Sequence, residues 1–386
     1  MRLKFRELPR AGTVLTGKDI ITASQYTFNL DYTFATAFAR WLPVKKVWLV
    51  TSGRAALCLI LRAMAERSGK REVVAPAYTC PTVPLAVARA GLQVRLCDVD
   101  PATGNLDVRQ LAGVVGDETL AIVPVHMHGI PCDMNVILAI AQQHGVSVIE
   151  DCASAAGASL DGRKVGTFGD AAFFSLGRGK GFTAYEGGIG VGEPGSSEAE
   201  RLGSIGAEFL ILIKLLAMAV FFHPRLYWSI RSLPLGWGNE VYGLDFAISG
   251  MGHFRQGVAL SILKRLDKVV AKRREKARYL LDQLRESTNV RFLDPPIGSQ
   301  PSYPWLPLLV EERDEVVGQL RAKGLGASWM FTNSLNQYDF LQGIVLPGSY
   351  PVAEHTAAHL LTLPTHQYVT QQDMDQMAAV LAEQAC

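Results

Sequence analysis

The stretch VSVIEDCASAAGASLDGRKVGTFGDAAFFSLGRGKGFTAYEGG, residues 146–188, holds two apolar runs, VSVIEDCAS and DAAFFSLG, followed by a lysine set among glycines. Neither run alternates polar with apolar residues, so each reads as a strand buried on both faces. Gly179 and Gly181 flank Lys180 and allow backbone or ligand to approach closely where the second strand ends. Most lysines are solvated surface charges, and this setting argues for a different use.

Working outward, KVWLVTSG (46–53), EVVAPAY (72–78), QVRLCDVD (93–100) and LAIVPVHMHG (120–129) are further strand candidates. Helical patterns lie between them: RAALCLILRAMAERSG, PLAVARAG, and MNVILAIAQQHG with its glycine stop. This alternation predicts an α/β fold with a largely parallel sheet covered by helices on both faces. Ligands of such sheets bind beyond the carboxyl ends of the strands. After residue 255 the texture changes to RQGVALSILKRLDKVVAKRREKARYLLDQL, read as one long basic amphipathic helix, then short strands and helices near 312–323 and 373–385. The expected division is a large domain over 1–250 and a smaller C-terminal α+β domain over 251–386.

Composition narrows the function. The chain has 386 residues, 48% of them hydrophobic, enough for a large core. With 38 basic and 36 acidic residues the net charge is +2, which gives no reason to expect nucleic acid. Six cysteines fall in no metal or redox spacing, so no metal is expected and the thiols read as those of a reducing compartment. The N-terminus MRLKFRELPRAG lacks the apolar stretch of a signal peptide, which makes the cytoplasm the expected location.

Three strand ends carry candidate chemistry. TSGRAAL places Gly53 and Arg54 at a strand-to-helix turn, where free N–H groups and the helix dipole attract phosphate. VSVIEDCAS ends in Glu150 and Asp151, and the third strand leads to Lys180. A phosphate cradle, a carboxylate and a lysine on one edge match the needs of pyridoxal phosphate: an imine-forming amine, a partner for the pyridine nitrogen, and phosphate donors. A P-loop does not fit, because position 174 is Phe and position 181 is Gly. GIGVGEPG, 188–195, misses the spacing of a dinucleotide fingerprint.

From about residue 46 onward the chain resembles the DegT-type sugar aminotransferases. The matching stretches are TSGRAAL, APAYTCPTV, CDVDPATGNLD, VPVHMHGIPCDM, VIEDCASAAGASLDGRKVGTFGDAAFFSL, the lysine with EGG, LKRLDKVVAKRREKARYL and LLTLPTHQYVTQQDMDQM. The resemblance implies an aspartate-aminotransferase-like fold (fold type I), with a mainly parallel seven-stranded sheet, and pyridoxal 5'-phosphate as cofactor. It implies Lys180 as the Schiff-base lysine, Asp151 as partner of the pyridine nitrogen, Ser175 as the phosphate serine, and Gly53 and Arg54 in the phosphate turn. By the same likeness an amino-acid donor, usually glutamate, gives its amino group to the keto group of a nucleotide-linked sugar, in a homodimer. His128, Tyr185 and Trp329 are the residues expected to meet substrate. His126, Glu186 and Met330 lie beside them in sequence.

Departures from the family pattern set this chain apart. Arg54 stands where Thr is common, Cys80 where an aromatic ring stacks on the cofactor, and Ser154 where Gln or His lies near its phenolic oxygen. The family's Asn-x-Arg-Met is replaced by Ile248, Ser249, Gly250 and Met251. An apolar insertion at about 205–235 contains GAEFLILIKLLAMAVFFHPRLYWSI. It reads either as a buried helix or dimer contact, or as a peripheral membrane contact through 208–228 that holds a lipid-linked acceptor. Two rival functions remain at this level. One is a dehydratase or lyase of the same fold, which would carry His at the lysine position, and the other is a noncatalytic scaffold subunit.

Overall fold

The computed structural model describes residues 6–28, 33–193, 205–231 and 242–383. Helices α1 (Gly17–Phe28) and α2 (Phe34–Trp41) come first. There follow β1 (Val47–Val50), α3 (Gly53–Ser68), β2 (Glu72–Pro76), α4 (Thr82–Arg89), β3 (Gln93–Cys97), α5 (Val108–Val114), β4 (Thr119–Ile122), α6 (Met134–His144) and β5 (Ser147–Asp151). A small ribbon, β6 (Ser159–Leu160) and β7 (Arg163–Lys164), precedes β8 (Ala171–Ser175) and β9 (Gly188–Val191). The insertion forms α7 (Ile205–Phe221) and α8 (Pro224–Arg231).

All six strand candidates are strands of one seven-stranded sheet, in the order β1-β9-β8-β5-β4-β2-β3. Pairings β3/β2, β2/β4, β4/β5 and β5/β8 are parallel, while β9 runs antiparallel to both β8 and β1. Strand β1 therefore points the same way as β8, and the carboxyl ends of β1, β2, β4, β5 and β8 share one edge. The seventh strand, GIGV, gave no apolar-run signal because two of its four residues are glycine. Tertiary contact requires them: a Cβ on Gly190 would lie 2.2 Å from the Trp48 ring, and one on Gly188 would lie 2.2 Å from the Ser52 backbone.

Local signals place the helices that flank this edge. Ser52 caps α3 by accepting from Ala55 N–H at 3.2 Å, and Gly69 ends the helix at φ +72°. Asp133 caps α6 and Gly145 closes it in the same left-handed way.

The run expected as one long helix is two, α9 (His253–Leu263) and α10 (Leu266–Leu284). Residues 254–263 of α9 are buried on every side, mostly against α1 and α2, whereas α10 buries a single stripe of Leu266, Val270, Arg273, Ala277, Leu280 and Leu284. The break falls at Arg265, whose guanidinium is drawn to Asp19 Oδ2 at 2.8 Å and Val14 O at 3.1 Å. Periodicity alone could not show this, since both halves are helical.

Beyond α10 come β10 (Val290–Phe292), β11 (Ser299–Gln300), β12 (Trp305–Val310), α11 (Arg313–Ala322), α12 (Pro351–His359), β13 (Leu360–Pro364) and α13 (Gln371–Ala382). Strands β10-β12-β13 form a small antiparallel sheet, and β11 extends the β6–β7 ribbon. We propose the division at residue 250 as the domain boundary, with α9 packing back onto the large unit.

Glu150 is the interior anchor of the edge. Its carboxylate accepts from Gly166 N–H at 2.7 Å, Phe168 N–H at 2.6 Å and Gly169 N–H at 2.8 Å, and faces His126 Nε2 at 3.1 Å. Glu150→Gln would turn an amide NH2 toward backbone donors. It is expected to cost about 2–4 kcal/mol in urea unfolding, whereas an unchanged midpoint would show that the carboxylate contributes nothing.

Candidate active site

The phosphate-like turn and the second strand end meet in space. A Cβ on Gly53 would lie 3.1 Å from the Cβ of Ser175 and 3.4 Å from the Phe173 ring, so β8 passes close against the α3 N-terminus. The first-turn N–H groups of α3 have no intrahelical partner and point to this spot. Ser175 Oγ accepts from Gly177 N–H at 3.4 Å, which leaves its hydroxyl free to donate. Arg54 starts the same helix turn, and its guanidinium lies 4.9 Å over the Phe246 ring.

The lysine loop is held from below by a buried cation. Arg273 donates from Nη1 to Gly181 O at 2.9 Å, and from Nη2 to Thr13 Oγ1 at 3.1 Å and Gly12 O at 3.4 Å. Thr13 Oγ1 also donates to Gly181 O. Burial pulls the Arg273 pKa down to about 10, with Arg265 adding to the effect. A Cβ on Gly181 would come within 2.8 Å of Arg273 Nη1, and Gly179 sits at φ +77°. The glycines about Lys180 thus have two separate reasons, contact at one and backbone conformation at the other. Lys180 Nζ reaches Ser154 Oγ at 3.4 Å.

Adjacent acids at the end of β5 point to opposite sides. Glu150 belongs to the interior, as described above, whereas Asp151 is buried and its carboxylate accepts from Ala153 N–H at 2.8 Å. Burial raises the Asp151 pKa, against the opposing effects of the Ala153 hydrogen bond, Lys180 and His126. Such a group is suited to a positively charged N–H partner.

His126, Glu150 and Cys152 bring potential ligand atoms within 4.8 Å of one another. Their capacity is already used. Cys132 N–H donates to His126 Nδ1 at 3.0 Å, so Nε2 carries the proton toward Glu150, and burial holds the Cys152 thiol well above its ordinary range.

The expected substrate residues are dispersed. His128 is buried at the end of the β4 segment, with φ +58° and a bond from Trp305 Nε1–H to its Nδ1 at 2.7 Å. Tyr185 is buried in the lysine loop at φ +72°, with Arg178 at 5.4 Å and Lys214 at 5.5 Å over its ring. Glu186 follows it, 3.9 Å from Arg255. Trp329 and Met330 pack against the main core, and Arg321 lies 4.2 Å over the Trp329 ring. Cys80 is partly exposed at the end of the β2 segment, with its sulfur 2.9 Å from Thr82 Oγ1. Nearby, Tyr78 packs edge to face on Phe331 and bonds its carbonyl at 3.2 Å.

Sequence reading passed over Thr13, Arg273 and Trp305. Arg273 gave one usable signal, a charge inside the apolar stripe of α10. The other two are distant in sequence from everything they organise.

Comparison with known proteins identifies the family and the fold. A family model described as the DegT/DnrJ/EryC1/StrS aminotransferase family matches residues 14–204 and 237–382. A GDP-perosamine synthase of Caulobacter vibrioides is 30% identical over 357 residues, covering 90% of this chain and 88% of that protein. Among solved structures, a DegT DnrJ EryC1 StrS aminotransferase from Brucella abortus superposes with a TM-score of 0.72 at 24% identity, covering 95% of both chains. The E coli GDP-4-keto-6-deoxy-D-mannose-3-dehydratase superposes at 0.76 with 20% identity, over 97% of this chain and 99% of that one. At these identities the superpositions show the fold, an α/β fold of the fold-type I class.

The raised Asp151 pKa has a stability consequence. The folded state holds this proton more tightly than the unfolded chain, so stability is lost as pH rises through the folded value. Asp151→Asn is therefore expected to raise the melting temperature of the protein at pH 7 by a few degrees. Scanning calorimetry at pH 7, with unchanged or lower melting in the variant, would contradict the assignment.

Proposed function

The chain belongs to the DegT/DnrJ/EryC1/StrS aminotransferase family, and on that premise we propose that it transfers an amino group from glutamate to the keto group of a nucleotide-linked sugar. It is a transaminase rather than a scaffold on this reading, with pyridoxal 5'-phosphate as cofactor and a homodimer as the working form. The supporting observation is the convergence at one sheet edge of the Gly53–Ser175 cradle, the buried Asp151 and Lys180 beside Ser154.

The residues fit that cofactor. We assign the N–H groups at the start of α3 and the Ser175 hydroxyl to its phosphate, with Arg54 at the rim, and Asp151 to its ring nitrogen. When bound, the cofactor supplies an electron sink for the carbon that loses a proton. Lys180 Nζ would hold the cofactor and, when free, would carry that proton, with Ser154 Oγ at 3.4 Å keeping the amine in place. Cys80 leaves one face of the site without an aromatic ring. A dehydratase reading is disfavoured by Lys180 itself, since such enzymes are expected to carry His there.

Lys180→Ala should remove the visible absorption of the purified protein and lower transamination more than a thousandfold, about 4 kcal/mol. Wild-type protein that stays colourless after incubation with pyridoxal phosphate would refute the cofactor assignment.

One further observation favours a peripheral membrane contact through 208–228. Helix α7 is apolar on two sides: Ile211, Leu215 and Met218 enter the core, while Phe209 (64% exposed), Leu210, Ile213, Leu216 and Val220 face outward. Leu226 and Trp228 of α8 are also exposed. The only acid of the hairpin, Glu208, turns inward to Arg255 at 2.6 Å, and Arg225 is exposed, so the outer face suits an anionic lipid surface. No helix among the described residues is long and apolar enough to cross a membrane. The inner side meets the lysine loop, since Lys214 lies over Tyr185. We propose that this hairpin brings a lipid-linked keto acceptor to the site.

Phe209→Ser, Ile213→Ser and Val220→Ser together leave the inward side chains intact. Wild type should float with phosphatidylserine-containing vesicles and the triple variant should not. Wild type recovered wholly in the soluble fraction, or a triple variant that merely falls from dimer to monomer, would overturn the membrane contact.

A further inference from the structure

His128 is linked to the Lys180 site through Ser302, whose N–H donates to Gly129 O at 2.9 Å and whose Oγ donates at 3.4 Å to the carbonyl of Ser154, the residue that Lys180 Nζ reaches. His128 Nδ1 receives the Trp305 indole N–H at 2.7 Å, and the two rings meet edge to face with centroids 6.2 Å apart. An indole nitrogen only donates, so Nδ1 must be an unprotonated acceptor, and in the neutral ring the proton sits on Nε2. A second proton would set N–H against N–H in a site where both side chains are buried.

The backbone around His128 is held by the same segment of chain. Ser302 N–H donates to Gly129 O at 2.9 Å, and a Cβ on Gly129 would fall 2.3 Å from Ser302 Oγ and 2.8 Å from Pro304 Cδ. Gly129 is at φ +78°, so glycine is required both for the turn and for the contact. His128 itself takes a left-handed φ, a conformation that needs support from its surroundings. Trp305 opens β12, the central strand of the small sheet, so the clamp joins the two sheets at the site. Among the described residues no acceptor is hydrogen-bonded to Nε2. Burial and the nearby Lys180 charge hold the His128 pKa down to about 3, consistent with a ring that stays neutral.

We propose that Trp305 is a positioning residue that locks His128 as a neutral Nε2–H donor to an oxygen in the Lys180 site, so that His128 donates a hydrogen bond there and takes up no proton. The oxygen is a carbonyl, hydroxyl or phenolate, from either the keto acceptor or the cofactor. This assignment rests on the aminotransferase reading for its purpose, but the tautomer itself does not.

The test begins with full-length protein labelled at histidine with 15N and assigned through His128→Gln, studied without cofactor. Wild type should show the Nε2–H tautomer alone, unchanged from pH 5.5 to 8.5, and Trp305→Phe should show a mixture of tautomers. A proton on Nδ1 in wild type, or an unchanged tautomer in Trp305→Phe, overturns the lock. With cofactor bound, Trp305→Phe should raise the acceptor KM about tenfold if the oxygen belongs to the acceptor, or shift the visible band if it belongs to the cofactor. Neither change, in a variant whose melting curve matches wild type, overturns the functional part. Colourless protein with the predicted tautomer would sink the cofactor reading and leave the lock standing.

Discussion

A guanidinium with no carboxylate partner among the described residues ties the lysine loop to the rest of this structure. Arg273 projects from the apolar stripe of α10 and ties Gly181 O, Gly12 O and Thr13 Oγ1 into one knot. An arginine is costly to bury unless its donors are satisfied, and here carbonyl and hydroxyl oxygens satisfy most of them. The lysine loop, the N-terminal segment and the first long helix of the C-terminal unit therefore fix one another. That coupling explains why Gly181 must be glycine and how Lys180 reaches Ser154.

Placement of the two acids at 150 and 151 shows how a strand divides labour. Successive residues of a strand point to opposite faces, so Glu150 enters the interior, where backbone donors surround it, and Asp151 turns to the Lys180 side. One stabilises the loop at 166–169, and the other is destabilised by its own burial. A buried, under-satisfied carboxylate is typical of a group whose partner arrives with a ligand.

The inserted α7–α8 hairpin adds a different constraint. Its inner side belongs to the core that surrounds α1 and α9, and its outer side is equally apolar. A helix of this kind satisfies folding with half of its surface and leaves the rest for a second environment. On the inner side Lys214 lies over the Tyr185 ring, so the helix abuts the loop that follows Lys180.

Much of the fold was legible in sequence because buried parallel strands are continuous apolar runs and helix ends carry caps: all six apolar runs are strands, and the Gly53, Asp151, Ser175 and Lys180 positions lie on one edge. The strand Gly188–Val191 was illegible, because contact with Trp48 and Ser52 selects glycine and erases the apolar signal. The break at Arg265 was hidden because a periodic pattern reports a helix and not its continuity; it falls where Arg265 meets the distant Asp19. Local sequence offered Gly53, Arg54, Asp151 and Lys180 as candidates, and the family resemblance added Ser175 and the role expected of each. Only tertiary structure decided that Arg273 holds the lysine loop and that Trp305 sets the proton on His128. Those bonds join residues separated by about a hundred positions or more, and no periodicity in a chain records which distant groups will meet.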